Sequence, residues 1–167
     1  SLPRMGTGHI IDMQQAGDHM YVGGEFSRVV RSSGDAGTVQ RYLARFDIHT
    51  GQWDSTFRPV LDGNVHALEL SPRGKLLVGG EFTSIDGVPG TAGLASIDPL
   101  TGQVDTTFGA WVDRPWYPQG RALVRELEVV GDRLYVVGKF SHIHGAGGTR
   151  TRVHSAARVS ANYGTID

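Results

Sequence analysis

Short stretches of alternating apolar and polar residues, or of apolar residues alone, occur along the whole chain. Residues 65–70 alternate in the manner of a strand with one buried face. The apolar run at 75–79 follows a Ser-Pro-Arg-Gly turn and is typical of a strand buried on both faces. Residues 93–97 and 103–105 predict two more strands, joined by a turn at 98–102. Because no segment has a useful helical period, the pattern predicts an all-β fold.

This pattern is repeated. Tyr-Val-Gly-Gly-Glu-Phe-Ser at 21–27 recurs as Leu-Val-Gly-Gly-Glu-Phe-Thr at 77–83 and as Tyr-Val-Val-Gly-Lys-Phe-Ser at 135–141. A later motif, Thr-Gly-Gln-x-Asp-x-Thr-Phe, ends at Phe57 and again at Phe108, and a third copy stops at Asp167 before its phenylalanine. We therefore expect the chain to be part of a longer protein.

Four short strands in a repeat of this size have the dimensions of a β-propeller blade. We predict an all-β, partial β-propeller domain over residues 1–167, with three four-stranded antiparallel blades at about 9–63, 64–120 and 121–167. Closed propellers usually have about four to eight blades. The ring is therefore expected to contain about six to eight blades, with the others from the same chain, another chain or a symmetric mate.

The repeated residues have structural explanations. The paired glycines, such as Gly79 and Gly80, suit a close backbone approach or a bulge at the end of a buried strand. The phenylalanines are expected to pack between blades or at blade edges; they are Phe26, Phe57, Phe82, Phe108 and Phe140. Asp54 and Asp105 are expected to cap turns through backbone N–H groups.

The motifs at 79–87 and 101–108, with Leu-Ala-Arg at 43–45, resemble the bacterial delta-60 repeat, a β-propeller repeat family. The resemblance extends from about residue 10 to 167. It implies a propeller within a large secreted or surface-attached bacterial protein, extracellular or at the cell surface, and it implies no catalytic residue. Lys139, where the other copies have glutamate, and the Gly- and Arg-rich loop at 145–153 depart from the pattern.

Composition excludes several classes of function. The formal net charge is −1 and the basic residues are scattered, which argues against a nucleic-acid partner. No apolar run is long enough to insert into a membrane. The chain has no cysteine, which excludes disulfides and thiolate metal sites.

The recurring carboxylates are interpreted as turn residues rather than as a catalytic pair, and no cofactor is expected. His142, His144 and His154 have a spacing that would allow a zinc site, but a polar loop is the preferred interpretation and no metal is predicted. Asp35 and Asp86 lie in Gly-rich loops without the dense carboxylates of a calcium motif, so turns are expected there.

The segment at 109–120 has no counterpart in the other repeats. Its aromatic, acidic and basic side chains would suit a sugar or protein partner; the predicted ligand-binding residues are Trp111, Asp113, Arg114, Trp116 and Tyr117. The alternative is that both tryptophans pack over the junction between two blades.

We therefore expect a non-catalytic structural or binding module with a protein or glycan partner. One alternative is a hydrolase or lyase with its active site in the central channel, lined by first-strand residues; these are Asp12, Gln14, His66, Arg125 and Glu126. A second alternative is a surface component of a larger envelope or virion assembly.

Overall fold

The computed structural model describes residues 4–6, 8–116 and 120–167, and the regular structure in this part of the chain consists entirely of β-strands. The strands are β1 (Arg4–Met5), β2 (Gly8–Ala16), β3 (His19–Phe26), β4 (Arg28–Val30), β5 (Thr38–Val39), β6 (Leu43–Asp47), β7 (Val65–Leu70), β8 (Leu76–Gly80), β9 (Leu94–Ile97), β10 (Trp111–Asp113), β11 (Leu123–Val130), β12 (Arg133–Lys139), β13 (His142–His144), β14 (Arg150–Arg152) and β15 (Ala156–Ser160). Within the described residues, no helix is long and apolar enough to cross a membrane.

The strands form three successive antiparallel blades, in the orders β2-β3-β6, β7-β8-β9 and β11-β12-β15. The predicted fourth strand of each blade is shorter than expected, a single bridge to the third strand. The bridges join Phe46 to Trp53, Ile97 to Val104 and Val159 to Ile166. In the first and second blades, the fourth strand is this short because an Asp-capped turn follows it directly.

The apolar pattern of the second blade matches the burial of its residues. Every residue of β8 and β9 is buried, and β7 alternates only in part, as a half-buried strand does. Leu76 and Val78 lie in the apolar cluster shared with the first blade, whereas Leu77 lies in the cluster shared with the third. The middle strand therefore packs on both faces, which confirms the prediction from its continuous apolar run.

The phenylalanines of the repeat lie in these clusters, as predicted. Phe57 and Phe82 pack at the junction of the first two blades, and Phe108 and Phe140 pack at the junction of the second and third. Phe26 is the exception, because it belongs to a smaller cluster formed by residues of the first blade.

Gly23 and Gly79 occupy equivalent positions and accept a side chain from the next blade. A Cβ on Gly79 would lie 2.6 Å from Cγ1 of Val124, and a Cβ on Gly23 would overlap Val65 in the same way. The third blade has Val137 at this position, 45% exposed. The second glycine of each pair makes the predicted close backbone approach, since a Cβ on Gly80 would overlap the carbonyl oxygen of Asn64. The first glycine instead allows close packing against the following blade, which the sequence did not predict.

The repeated aspartates cap turns, also as predicted. The carboxylate of Asp54 accepts hydrogen bonds from the backbone N–H and hydroxyl of Thr56, at 2.9 and 2.6 Å. Asp105 does the same with Thr107 at 3.1 and 2.6 Å. Asp35 accepts from the backbone of Gly37, and Asp86 accepts from the backbone of Val60, so both serve loop structure.

Each blade also carries a second, smaller sheet, formed by the segment before its first strand and the loop after its middle strand. In the first blade this sheet is β1-β4-β5, and in the third it is β10-β13-β14. The second blade has the same arrangement reduced to isolated bridges, in which Ile85 pairs with Leu61 and with Val88. The outer sheet of the third blade places Trp111–Asp113 against the loop after its middle strand.

Candidate ligand-binding site

The first part of the 109–120 segment has a repeated backbone role although its sequence is unrepeated. Strand β10 occupies the place of β1 in the first blade and of Leu61 in the second. Trp111 is partly buried here and stacks on the imidazole of His144, with ring centroids 3.6 Å apart and planes inclined by 9°. Trp111 therefore packs within the outer sheet, and only part of its side chain is open to a ligand.

Asp113 lies at the other end of β10 and is engaged by the same sheet. Its Oδ2 is 2.8 Å from Nε2 of His144 and 3.3 Å from a terminal nitrogen of Arg150. Its Oδ1 is 3.4 Å from Nδ1 of His142. These contacts hold β10, β13 and β14 together, so the carboxylate is a structural partner of two histidines and an arginine.

Arg114 and Trp116 lie beyond β10 and face a cleft on the third blade. Trp116 has 77% of its surface exposed. The cleft has a volume of about 550 Å³, and we call it the Trp116 cleft. The side chains that line it with Arg114 and Trp116 include Lys139, Arg152 and His154. Tyr117, the remaining predicted site residue, lies outside the described residues.

Lys139, Arg152 and His154 are thus brought to the predicted site by the fold, and sequence reasoning did not assign them to it. Two departures from the repeat pattern pointed toward them: the lysine at 139 and the Arg- and Gly-rich loop at 145–153. His154 faces this cleft, whereas His142 and His144 contact Asp113. Among the described residues, no three His, Asp or Glu side chains are grouped to hold a metal ion.

A second cavity, of about 650 Å³, lies along the first strands of the three blades, and we call it the inner cavity. Each of these strands has a β-bulge, and the bulged residues are Ile11, His66 and Arg125. A bulge redirects a side chain out of the sheet. All the channel residues named from the sequence line this one cavity; they are Asp12, Gln14, His66, Arg125 and Glu126.

The inner cavity contains two groups with shifted ionisation. Burial lowers the pKa of His66; the charge of Glu81 opposes this and that of Arg125 adds to it. Nε2 of His66 is buried and has no hydrogen-bond partner among the described residues. Burial raises the pKa of Glu69, which lies near Glu128. A histidine whose pKa is lowered and a glutamate whose pKa is raised therefore share one cavity.

Comparison with known proteins agrees with the fold. Residues 74–108 match the model of a domain of unknown function described as the DUF5122 beta-propeller. Among solved structures, the chain is similar to the WD40 beta propeller domain of Doa1, at 13% identity and a TM-score of 0.42. That match covers 80% of this chain and 49% of the other, so the chain spans about half the length of that propeller. A comparison with the curated proteins found no match.

The protein is therefore a β-propeller: an all-β chain of small antiparallel sheets that contains a beta-propeller family match in its second blade.

Proposed function

We propose that this chain is a non-catalytic binding module that holds a glycan in the Trp116 cleft. The exposed ring of Trp116 beside Arg114 is the observation that carries the proposal. A tryptophan at an open cleft offers a flat apolar face and an indole N–H, and tryptophan is enriched at binding sites because it combines the two. The resemblance to the delta-60 repeat supports a place within a larger secreted or surface-attached bacterial protein.

The size of the cleft favours a glycan over a protein partner. A volume of about 550 Å³ falls within the range of small-ligand sites, which is roughly 300–1,000 Å³. A stable protein–protein interface instead buries about 800 Å² on each partner. A few sugar rings match the dimensions of this cleft.

We expect Trp116→Ala to weaken glycan binding by more than about tenfold, because aromatic anchors at binding sites commonly contribute about 2 kcal/mol or more. Binding is measured on an array of immobilised neutral and acidic oligosaccharides. Leu100→Ala is the control, since it removes a side chain that is 69% exposed on a turn of the second blade. Equal binding by the wild type and Trp116→Ala would place the glycan elsewhere. Absence of binding by the wild type would contradict a glycan partner.

A second candidate function, a hydrolase or lyase, is supported by the inner cavity. General acid–base catalysis needs one group that accepts a proton and another that donates one near neutral pH. The lowered pKa of His66 and the raised pKa of Glu69 suit the base and the acid respectively. Arg125, in the same cavity, would attract an anionic substrate group.

For this candidate we expect turnover of a nitrophenyl glycoside or ester panel, and at least a roughly hundredfold loss in both His66→Gln and Glu69→Gln. Gln15→Ala is the control, because Gln15 is exposed on the first strand of the first blade and lies outside the residues that line the inner cavity. Turnover that persists in both variants, or that is absent from the wild type, would contradict an active site at these residues.

A further inference from the structure

The Trp116 cleft carries a concentration of positive charge that is unusual for this chain. Arg114, Lys139 and Arg152 line it, whereas the whole chain has a formal net charge of −1. No carboxylate is among the described residues that line this cleft. Like charges held close together repel one another, so a bound anion would relieve that repulsion.

The lysine is a charge reversal within the repeat. Glu25 and Glu81 stand at the equivalent positions of the first and second blades. Glu81 accepts a hydrogen bond of 2.7 Å from the side-chain amide of Asn64. Lys139 is exposed and, among the described residues, forms no ion pair, as is also true of Arg152. The blade fold therefore accepts glutamate here, and the lysine adds charge without an evident stabilising contact.

A neighbouring cleft contains two carboxylates together with two of the same cations. That cleft shares Arg114 and Lys139 with the Trp116 cleft and also contains Asp62 and Glu81. Asp62 accepts hydrogen bonds from the backbone N–H and hydroxyl of Thr83, while Glu81 is bound to Asn64. Both carboxylates have other partners within the second blade.

We propose that the Trp116 cleft binds a negatively charged saccharide, with the ring of Trp116 against the apolar face of one sugar and Lys139 and Arg152 against its carboxylate or sulfate groups. This rests on the proposed glycan-binding function and specifies its ligand class. Tryptophan supplies a surface for the sugar ring, and the cations select for the anionic substituents. Because these cations are exposed, salt will weaken the binding.

The test is titration of the chain with three oligosaccharides of equal length: an oligogalacturonate, a sulfated oligosaccharide and a neutral maltooligosaccharide. Tryptophan fluorescence and isothermal calorimetry report binding. We expect Lys139→Glu, which restores the residue of the other blades, to weaken binding of the anionic probe by at least about tenfold. Arg41→Glu, the same charge change at an exposed residue of the first blade, is the control and is expected to bind as the wild type does.

The outcomes separate the two proposals. Preference of the wild type for the oligogalacturonate identifies carboxylate as the recognised group, and preference for the sulfated probe identifies sulfate; either supports the proposal. Equal affinity for the neutral and anionic probes, with loss in Trp116→Ala, overturns the charge selection but leaves glycan binding intact. No binding of any probe, or anionic binding unchanged in both Lys139→Glu and Trp116→Ala, overturns both.

Discussion

Replacement of Gly79 by valine is expected to destabilise the chain by about 3 kcal/mol or more, at the upper end of what overpacking costs. A Cβ at this position would lie 2.6 Å from Cγ1 of Val124 and 3.3 Å from Cδ1 of Leu127. The backbone of Gly79 is paired with β7 on one side and β9 on the other, so it cannot move away. Urea denaturation measures the change in the free energy of unfolding.

The matched control is Val137→Ile, which adds bulk at the equivalent position of the third blade. Val137 is 45% exposed, so its stability should change by no more than about 0.5 kcal/mol. Similar small changes in both variants would show that the second and third blades are not closely packed at Gly79.

Replacement of Arg45 by methionine is expected to cost about 3 kcal/mol, the lower end of the range for breaking a buried ion pair. The guanidinium of Arg45 is 2.6 Å from Oδ2 of Asp54, and it also donates to the carbonyls of Pro99 and Leu100 at 2.7 and 2.8 Å. Only 6% of the arginine side chain is exposed. Methionine keeps the bulk but removes the arginine donor from Oδ2 of Asp54 and from the carbonyl of Leu100, and it leaves the carbonyl of Pro99 with the hydroxyl of Tyr21 alone. It also removes a link between the first and second blades.

The stability lost in Arg45→Met should depend on pH. Burial of Asp54 disfavours its charge, but the hydrogen bonds from Thr56 and Arg45 outweigh burial and hold the pKa of Asp54 below its ordinary value. A carboxyl group whose folded pKa is lowered stabilises the protein above its unfolded pKa, and that stability is lost as the pH falls through the folded pKa. The difference between wild type and Arg45→Met should therefore be full at pH 7 and shrink below about pH 4.

Arg158→Met is the control, because Arg158 occupies in the third blade the position that Arg45 occupies in the first. Arg158 contacts Asp167 at 3.3 Å, but 49% of its side chain is exposed, and pairs of this kind contribute at most about 1 kcal/mol. A loss at Arg158 as large as that at Arg45 would contradict the role assigned to burial and to the two carbonyl contacts.

The repeat made much of this architecture predictable. Residues that recur between blades serve the blade, and this holds for the glycine pairs and capping aspartates of the first two blades and for the repeated phenylalanines. The length of the fourth strand was overestimated, because sequence periodicity cannot show where a capped turn ends the strand pairing. The contacts of Arg45 with Pro99 and Leu100 also could not be predicted from the sequence, because those carbonyls lie in another blade.

At the candidate site, too, the sequence of the 109–120 segment indicated where to look but not which residues are available to a ligand. Its unusual residues drew attention to it, but composition could not distinguish Trp111, which packs on His144, from Trp116, which is exposed. Nor could it distinguish Asp113, bound within the outer sheet, from a residue available to a ligand. These differences depend on which strand of the outer sheet lies beside each side chain.

The sequence by itself determined the strand pattern, the blade repeat and the residues that serve each turn and blade junction, because those contacts recur at a regular spacing along the chain. Only the tertiary structure decided which charges meet. Trp116, Lys139 and Arg152 belong to three separate segments, and folding brings them to one cleft. His66 and Arg125 come from different blades and share the inner cavity for the same reason: each blade aligns its first strand beside that of its neighbour.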